Sequence, residues 1–282
     1  MSKKILVVID PGHKSKYNRG AAPGYYEGDK MYTLSEYEKT ALEAYGVDVI
    51  LTRKRENDMD LYARGQVAVK NGTGYDVVVF LSNHSNGFDG TAVGVVAYRS
   101  AHLPDSAALG KKLVNAVVGV MRPVTGVTYS RGVATRQRAD GADYYGVIRG
   151  SVSGAKSEAQ AAKVPVKYSF IVEHGFHDNK TECAFLNEDA NLKALAEAEA
   201  KAIADYFGLT VVKKPAATAP SSHYLVKITA DVLNVRKGPG AKYEIATTVK
   251  KGEVYTIVAE SNGWGKLKSG AGWIKLSYTK RV

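Results

Sequence analysis

Tyr168-Ser169-Phe170-Ile171-Val172-Glu173-His174-Gly175-Phe176-His177 is the stretch whose reading decides the fold of this chain. It starts as a short apolar, partly β-branched run, the pattern of a strand buried on both faces. It then stops in a carboxylate and two imidazoles, which packing alone does not call for. Two other runs end the same way. Ile5–Ile9 leads into Asp10-Pro11-Gly12-His13, and Val77–Leu81 leads into Ser82-Asn83-His84. In open α/β folds, chemistry collects at the carboxyl ends of parallel strands. If the three runs share one sheet, His13, His84 and Glu173 meet at one edge, and that edge reads as a metal-dependent hydrolytic site.

The rest of the first 208 residues fits such a sheet. Met31, Leu34, Tyr37, Ala41, Leu42 and Tyr45 lie on one helical face, which Gly46 closes before a strand at Val47–Leu51. Asp58 or Asp60 caps a helix towards Asn71-Gly72, and Val93–Tyr98 reads as a strand. Asp105 caps a helix to about Met121, and a further helix runs from about Asp189 to Phe207 before Gly208. Residues 122–167 are irregular, with Ser151–Lys163 a mobile loop or weak helix. The alternation predicts an α/β domain, a mainly parallel twisted sheet flanked by helices.

Lys213–Ser222 holds two of the eight prolines and reads as a linker. Beyond it, short strands such as Val232–Arg236, Val254–Val258 and the two Gly-Trp segments at Trp264 and Trp273 predict a small all-β barrel. Charge divides at the same place. Residues 1–212 carry 26 Lys+Arg against 24 Asp+Glu, and residues 213–282 carry 13 against 4. That basic quarter suits an anionic partner, nucleic acid or a cell-wall polymer, but no base-reading motif accompanies it. A single cysteine, Cys183, excludes an internal disulfide and a thiolate zinc cluster. No run has the length of a membrane span, and Ile5–Ile9 is too short for a signal-peptide core. The expectation is synthesis in the cytoplasm without a signal peptide, and release by some other agent.

A catalytic zinc site uses three N/O ligands and keeps one position open. His13 and His84 supply the imidazoles. Glu27, where the loop after His13 enters the first helix, is the best-placed third ligand; Glu36 and Glu38 are expected to face solvent. Glu173 is then free to act as general base. Blander roles stand beside these: either histidine as a structural hydrogen-bonder, Glu27 as a helix-start carboxylate, Glu173 paired with an arginine such as Arg149. His174 and His177 are placed behind the ligands or facing substrate. Trp264 and Trp273 either fill the barrel core or offer a contact surface.

The ordered motifs add a resemblance. Asp10-Pro11-Gly12-His13, Glu27, Leu51-Thr52-Arg53 with Leu61 and Arg64, Leu81–Asn86, Arg131-Gly132-Val133, Tyr145–Arg149 and Ile171–Phe176 resemble zinc-dependent N-acetylmuramoyl-L-alanine amidases. The resemblance implies zinc (Zn2+) on His13, Glu27 and His84, with Glu173 as catalytic acid/base. It departs from the family at His174 and His177, which replace residues usually apolar or small. His223–Val282 is similar to bacterial SH3 domains, through Leu233–Gly240 and the paired Gly-Trp strands. The layout predicted is a catalytic domain over 1–209, a linker over 210–222 and a wall-binding domain over 223–282, resembling phage or prophage endolysins. The partners implied are peptidoglycan and its anionic polymers, with no nucleic acid and no membrane insertion. A zinc peptidase acting within the stem peptide and a non-catalytic wall-binding protein are the alternatives.

Overall fold

Alternation of buried side chains builds the central sheet of the first unit. The computed structural model describes residues 3–212, 224–241, 243–261 and 263–282, and Lys213–Ser222, read as a linker, lies outside them. The chain divides into two compact units at Val212/Lys213. In the first, the elements run β1 (Ile5–Pro11), α1 (Glu27–Glu43), β2 (Asp48–Leu51), α2 (Leu61–Asn71), β3 (Val77–Asn86) and β4 (Val95–Arg99). Then come α3 (Ser106–Thr125), β5 (Ser130–Ala134), α4 (Gly146–Ser151), α5 (Glu158–Ala161), β6 (Val166–Phe176), α6 (Lys180–Leu186) and α7 (Asp189–Phe207).

The strand order is β2-β1-β3-β6-β4-β5. Neighbours are parallel except β6 and β4, which run antiparallel. The sheet is therefore mainly parallel, with β1, β3 and β6 adjacent and their carboxyl ends together. Successive residues face opposite layers. Val7, Ile9, Val79, Leu81, Phe170 and Val172 pack with Leu34, Leu113 and Leu195 of α1, α3 and α7. Leu6, Val8, Val78, Phe80 and Ile171 pack on the other side with Ala68, Val147 and Ile148 of α2 and α4. Phe80 is wholly buried there, and its loss to alanine would cost about 3–5 kcal/mol.

Several element boundaries depart from the sequence reading. The helix after Asp105 continues four residues past Met121, with Pro123 inside its last turn, to the left-handed Gly126. The irregular stretch holds strand β5, whose Ser-Arg-Gly start carries no strand signal, and the short helices α4 and α5. Asp60, not Asp58, caps α2: its side chain accepts from Ala63 N.

The second unit is one antiparallel sheet of seven strands: β7 (Tyr224–Ile228), β8 (Val232–Arg236), β9 (Ile245–Lys250), β10 (Val254–Ser261), β11 (Trp264–Leu267), β12 (Trp273–Lys275) and β13 (Thr279–Arg281). Its core is Val226, Ile228, Leu233, Val235, Val249, Ile257, Leu267 and Ile274. Trp264 and Trp273 are only half-buried and stand outside that core, so the core-filling role does not hold. Trp264, with Lys275 5.6 Å from its ring centre, lines a groove of about 640 Å³ with Asn234, Arg236 and Tyr278.

Candidate metal centre

The loop carrying His13 is fastened to the sheet by residues far away in sequence. Gly12 donates to the carbonyl of Asn83 at 2.8 Å, so the loop lies directly on the end of β3. A side chain at Gly12 would meet the His84 ring at 2.6 Å, which makes glycine the residue that fits. Arg53 donates to the carbonyls of Pro11 (3.0 Å) and Gly12 (3.1 Å), and Arg64 to that of Pro11 (3.1 Å). Buried Asp10 accepts from Thr52 and Ser82. Thr52, Arg53 and Arg64, noted in the sequence only for their family likeness, thus set the turn that presents His13. His13 itself is left-handed, with φ 53°. The loop then packs so closely on α1 that a Cβ on Gly28 would lie 1.7 Å from the Lys14 carbonyl oxygen.

That close approach puts Glu27, in the first turn of α1, beside both histidines. His84 Nδ1 lies 2.9 Å from Glu27 Oε1, and His13 Nε2 lies 3.4 Å from Glu27 Oε2. One ligand atom from each of the three residues falls within 4.8 Å of the others, a group able to hold a metal ion. Backbone Ser85 N and the Asn18 amide also donate to Glu27. Asn18, which sequence reasoning missed, additionally reaches His13 Nε2 at 3.3 Å. Nothing in its local sequence marks it.

The electrostatics match a cation site. Burial works to raise the Glu27 carboxyl, yet the hydrogen bond and charge of His84 win and lower it to about 2. Burial holds His13 at about 4, leaving its ring neutral, as a ligand must be. Burial also opposes the charged form of His84, but its bond to Glu27 prevails and raises it to about 9. In the protein alone a proton on His84 thus balances Glu27, where a cation would otherwise do so.

Glu173 pairs with His84 across β3 and β6. The residue is partly exposed, but its Oε2 is buried without a hydrogen-bond partner among the described residues. Burial pushes the carboxyl up to about 7. Arg149 donates instead to the carbonyls of Asp143 and Tyr144, so the ion pair suggested for Glu173 does not form. His174 points to the opposite face. It is fully buried, with Nε2 3.0 Å from Glu199 Oε2 and Nδ1 3.0 Å from the His84 carbonyl. Its bond to the His84 carbonyl fixes the end of β3 from behind. His177 Nδ1 lies 2.9 Å from the Ser85 carbonyl and 3.8 Å from Glu27 Oε2.

Glu36 is exposed as expected, but Glu38 is wholly buried, a correction. It lies on the stripe of Met31, Leu34 and Leu42 that α1 turns to the sheet. There its Oε2 accepts from the Asn83 amide at 2.8 Å. Burial, and then the charge of Glu199, push Glu38 up to about 8.

Two family profiles match the chain. The sequence profile of the N-acetylmuramoyl-L-alanine amidases matches residues 7–205, and that of the bacterial SH3 domains matches residues 231–280. The chain belongs to the N-acetylmuramoyl-L-alanine amidase family. The endolysin of Bacillus phage SPP1 is 29% identical over 78% of this chain and 71% of its own length. YrvJ of Bacillus subtilis (strain 168) is 47% identical over 16% of this chain, which spans only 9% of YrvJ. In structure, the catalytic domain of the amidase CwlV from Bacillus (Paenibacillus) polymyxa var. colistinus has a TM-score of 0.54 at 21% identity, covering 74% of this chain and 100% of that domain. That likeness shows a shared fold.

Proposed function

We propose that this chain is a zinc-dependent peptidoglycan hydrolase, cutting the amide between N-acetylmuramic acid and the L-alanine of the stem peptide. The observation that carries the reading is the His13–Glu27–His84 cluster beside a buried carboxylate oxygen, Glu173 Oε2, that has no hydrogen-bond partner among the described residues. Two imidazoles and one carboxylate fit zinc and leave a position open for water or substrate. His13, Glu27 and His84 would hold the ion. Zinc bound there supplies a Lewis acid that polarises an amide carbonyl and acidifies water.

The chain's own residues do the rest. Asn18 and Ser85 N hold the Glu27 carboxylate in place. His174 and Glu199 fix the strand end that bears His84. Glu173, whose strand position pairs with that of His84, takes the proton of the attacking water and returns it to the departing alanine nitrogen.

We assign residues 1–209 to the catalytic domain, 210–222 to a linker and 223–282 to wall binding. Two features support the last assignment, the profile match over 231–280 and the surplus of 13 basic over 4 acidic residues in 213–282. The likeness to a phage endolysin supports action on the bacterial wall after release. No helix among the described residues is long and apolar enough to cross a membrane. The reading is tested by measuring metal content and wall hydrolysis together: zinc copurifies at one per chain, and chelation stops release of L-alanine amino termini from walls. Undiminished release by the chelated protein would remove the metal from the mechanism.

A further inference from the structure

A second groove, of about 810 Å³, opens on the first unit. Tyr62, Tyr144, Tyr145 and Arg136 line it. The sheet links it to the site. Val96 pairs with Glu173 and Tyr98 with Ile171, so all four share one face of the sheet. The Tyr98 ring in turn packs on Tyr145 with centres 4.9 Å apart. The Tyr145 phenol is pushed up to about 12 by burial and then by Tyr98; a hydrogen bond from Arg136 works the other way, and the Glu173 charge adds to the rise. Tyr145, on the wall of the groove, is thus tied through Tyr98 to the strand that bears the proposed catalytic carboxylate.

The wall of this groove is a built structure. Gln137 and Asp143 form an antiparallel bridge, and Tyr144 N donates to the Arg136 carbonyl at 2.9 Å, closing a short hairpin. Asp143, buried at its base, accepts from Ser100 Oγ (2.7 Å) and Ala101 N (2.8 Å). These bonds fasten the hairpin to the end of β4. Arg136 lies over the Tyr144 ring with its guanidinium carbon 3.7 Å from the ring centre. Tyr144 in turn meets Tyr145 edge-on at 5.3 Å.

The other charges around the groove are engaged. Arg138 pairs with Asp140 at 3.6 Å, Arg149 donates to two backbone carbonyls, and Asp60 caps α2. Arg136, among the described residues, has no carboxylate partner and is exposed. An arginine over one aromatic ring and hydrogen-bonded to the phenol of another is held in orientation, and its remaining N–H donors can bind a carboxylate.

We infer that this groove receives the peptide arm of the substrate, and that Arg136 reads a carboxylate on that arm, with the tyrosines packing against the peptide backbone. The inference rests on the amidase reading for the identity of the substrate. It makes the groove a specificity element: acidic stem peptides are held, and amidated ones lose the anchor.

The test uses full-length protein carrying Glu173→Gln, so that binding is read without turnover. Calorimetric titrations compare a muramoyl peptide bearing free carboxylates with the same peptide amidated. Adding Arg136→Gln should weaken binding of the acidic peptide on the order of 10- to 100-fold and leave the amidated peptide unchanged. Arg136→Lys should restore only part, since an ammonium keeps the charge but not the fork. Equal affinity for the two peptides, or no effect of Arg136→Gln, overturns the assignment. Discrimination in binding, with no muramoyl–alanine cleavage by the wild type, would support the groove and sink the proposed reaction instead.

Discussion

Replacing Glu173 by glutamine keeps the side-chain volume and one acceptor oxygen but removes the atom that can take a proton. The structure sets two separate magnitudes. For turnover, loss of a group serving both proton transfers should cost roughly 100- to 10,000-fold in kcat, towards the upper end. For stability, the metal-free protein gives the sign. The carboxyl has an ordinary value of 4.5 and is raised to about 7 by burial, so the folded chain holds its proton more tightly than the unfolded chain. Below pH 4.5 both states are protonated and no penalty exists. The penalty grows between 4.5 and 7 and is complete above 7, at most about 3 kcal/mol and less where water reaches the group. Glu173→Gln removes it. The variant should therefore melt a few degrees higher than wild type at pH 8 and at the same temperature at pH 4. The assay is scanning calorimetry in chelator at both pH values, with muropeptide turnover measured on the zinc-loaded proteins. A structural role for Glu173 requires the reverse pattern, a lower melting temperature with near-normal turnover. That pattern would remove Glu173 from the proton transfers.

Three further outcomes are expected. His13→Ala or His84→Ala should lower zinc occupancy severely, because two remaining ligands do not fix the geometry; full occupancy by elemental analysis would exclude the mutated residue from the ligand set. A chain ending at Leu209 should hydrolyse soluble muropeptide as the full chain does but clear intact walls far more slowly, having lost the local concentration supplied by the second unit; equal clearing rates would end the targeting role. Glu199→Leu should destabilise by about 1–3 kcal/mol by denaturant unfolding, since it leaves a buried His174 nitrogen unpaired, whereas Glu197→Leu on the exposed face of α7 should change stability by less than about 0.5 kcal/mol; equal effects would remove the support assigned to Glu199.

The strands bearing His13, His84 and Glu173 were legible because a buried parallel strand needs an unbroken apolar run, and a polar run at its end is conspicuous. Helix α7 was legible to its last residue because Gly208 stops it in the left-handed conformation. Strand β5 was not, since its pairing with β4 compensates for weak local preference. Glu38 was misplaced by residue type, although its spacing from Leu34 and Leu42 already put it on the buried stripe. Alternation along β6 likewise sent His174 to the side opposite Glu173. Asn18 and Arg136 had no local signal at all: one acts through a loop folded back on α1, the other through a hairpin fastened by Asp143.

The central claim is that His13, Glu27 and His84 hold a zinc ion for cleavage of the muramoyl–alanine amide. The most direct test strips the purified protein of metal, restores one equivalent of zinc, and identifies by mass spectrometry the products formed from soluble muropeptide. No product is expected from the stripped protein. After zinc is restored, intact muramic acid ends should appear together with peptides that begin at L-alanine. Cleavage that survives stripping, or fragments cut within the peptide, would contradict it.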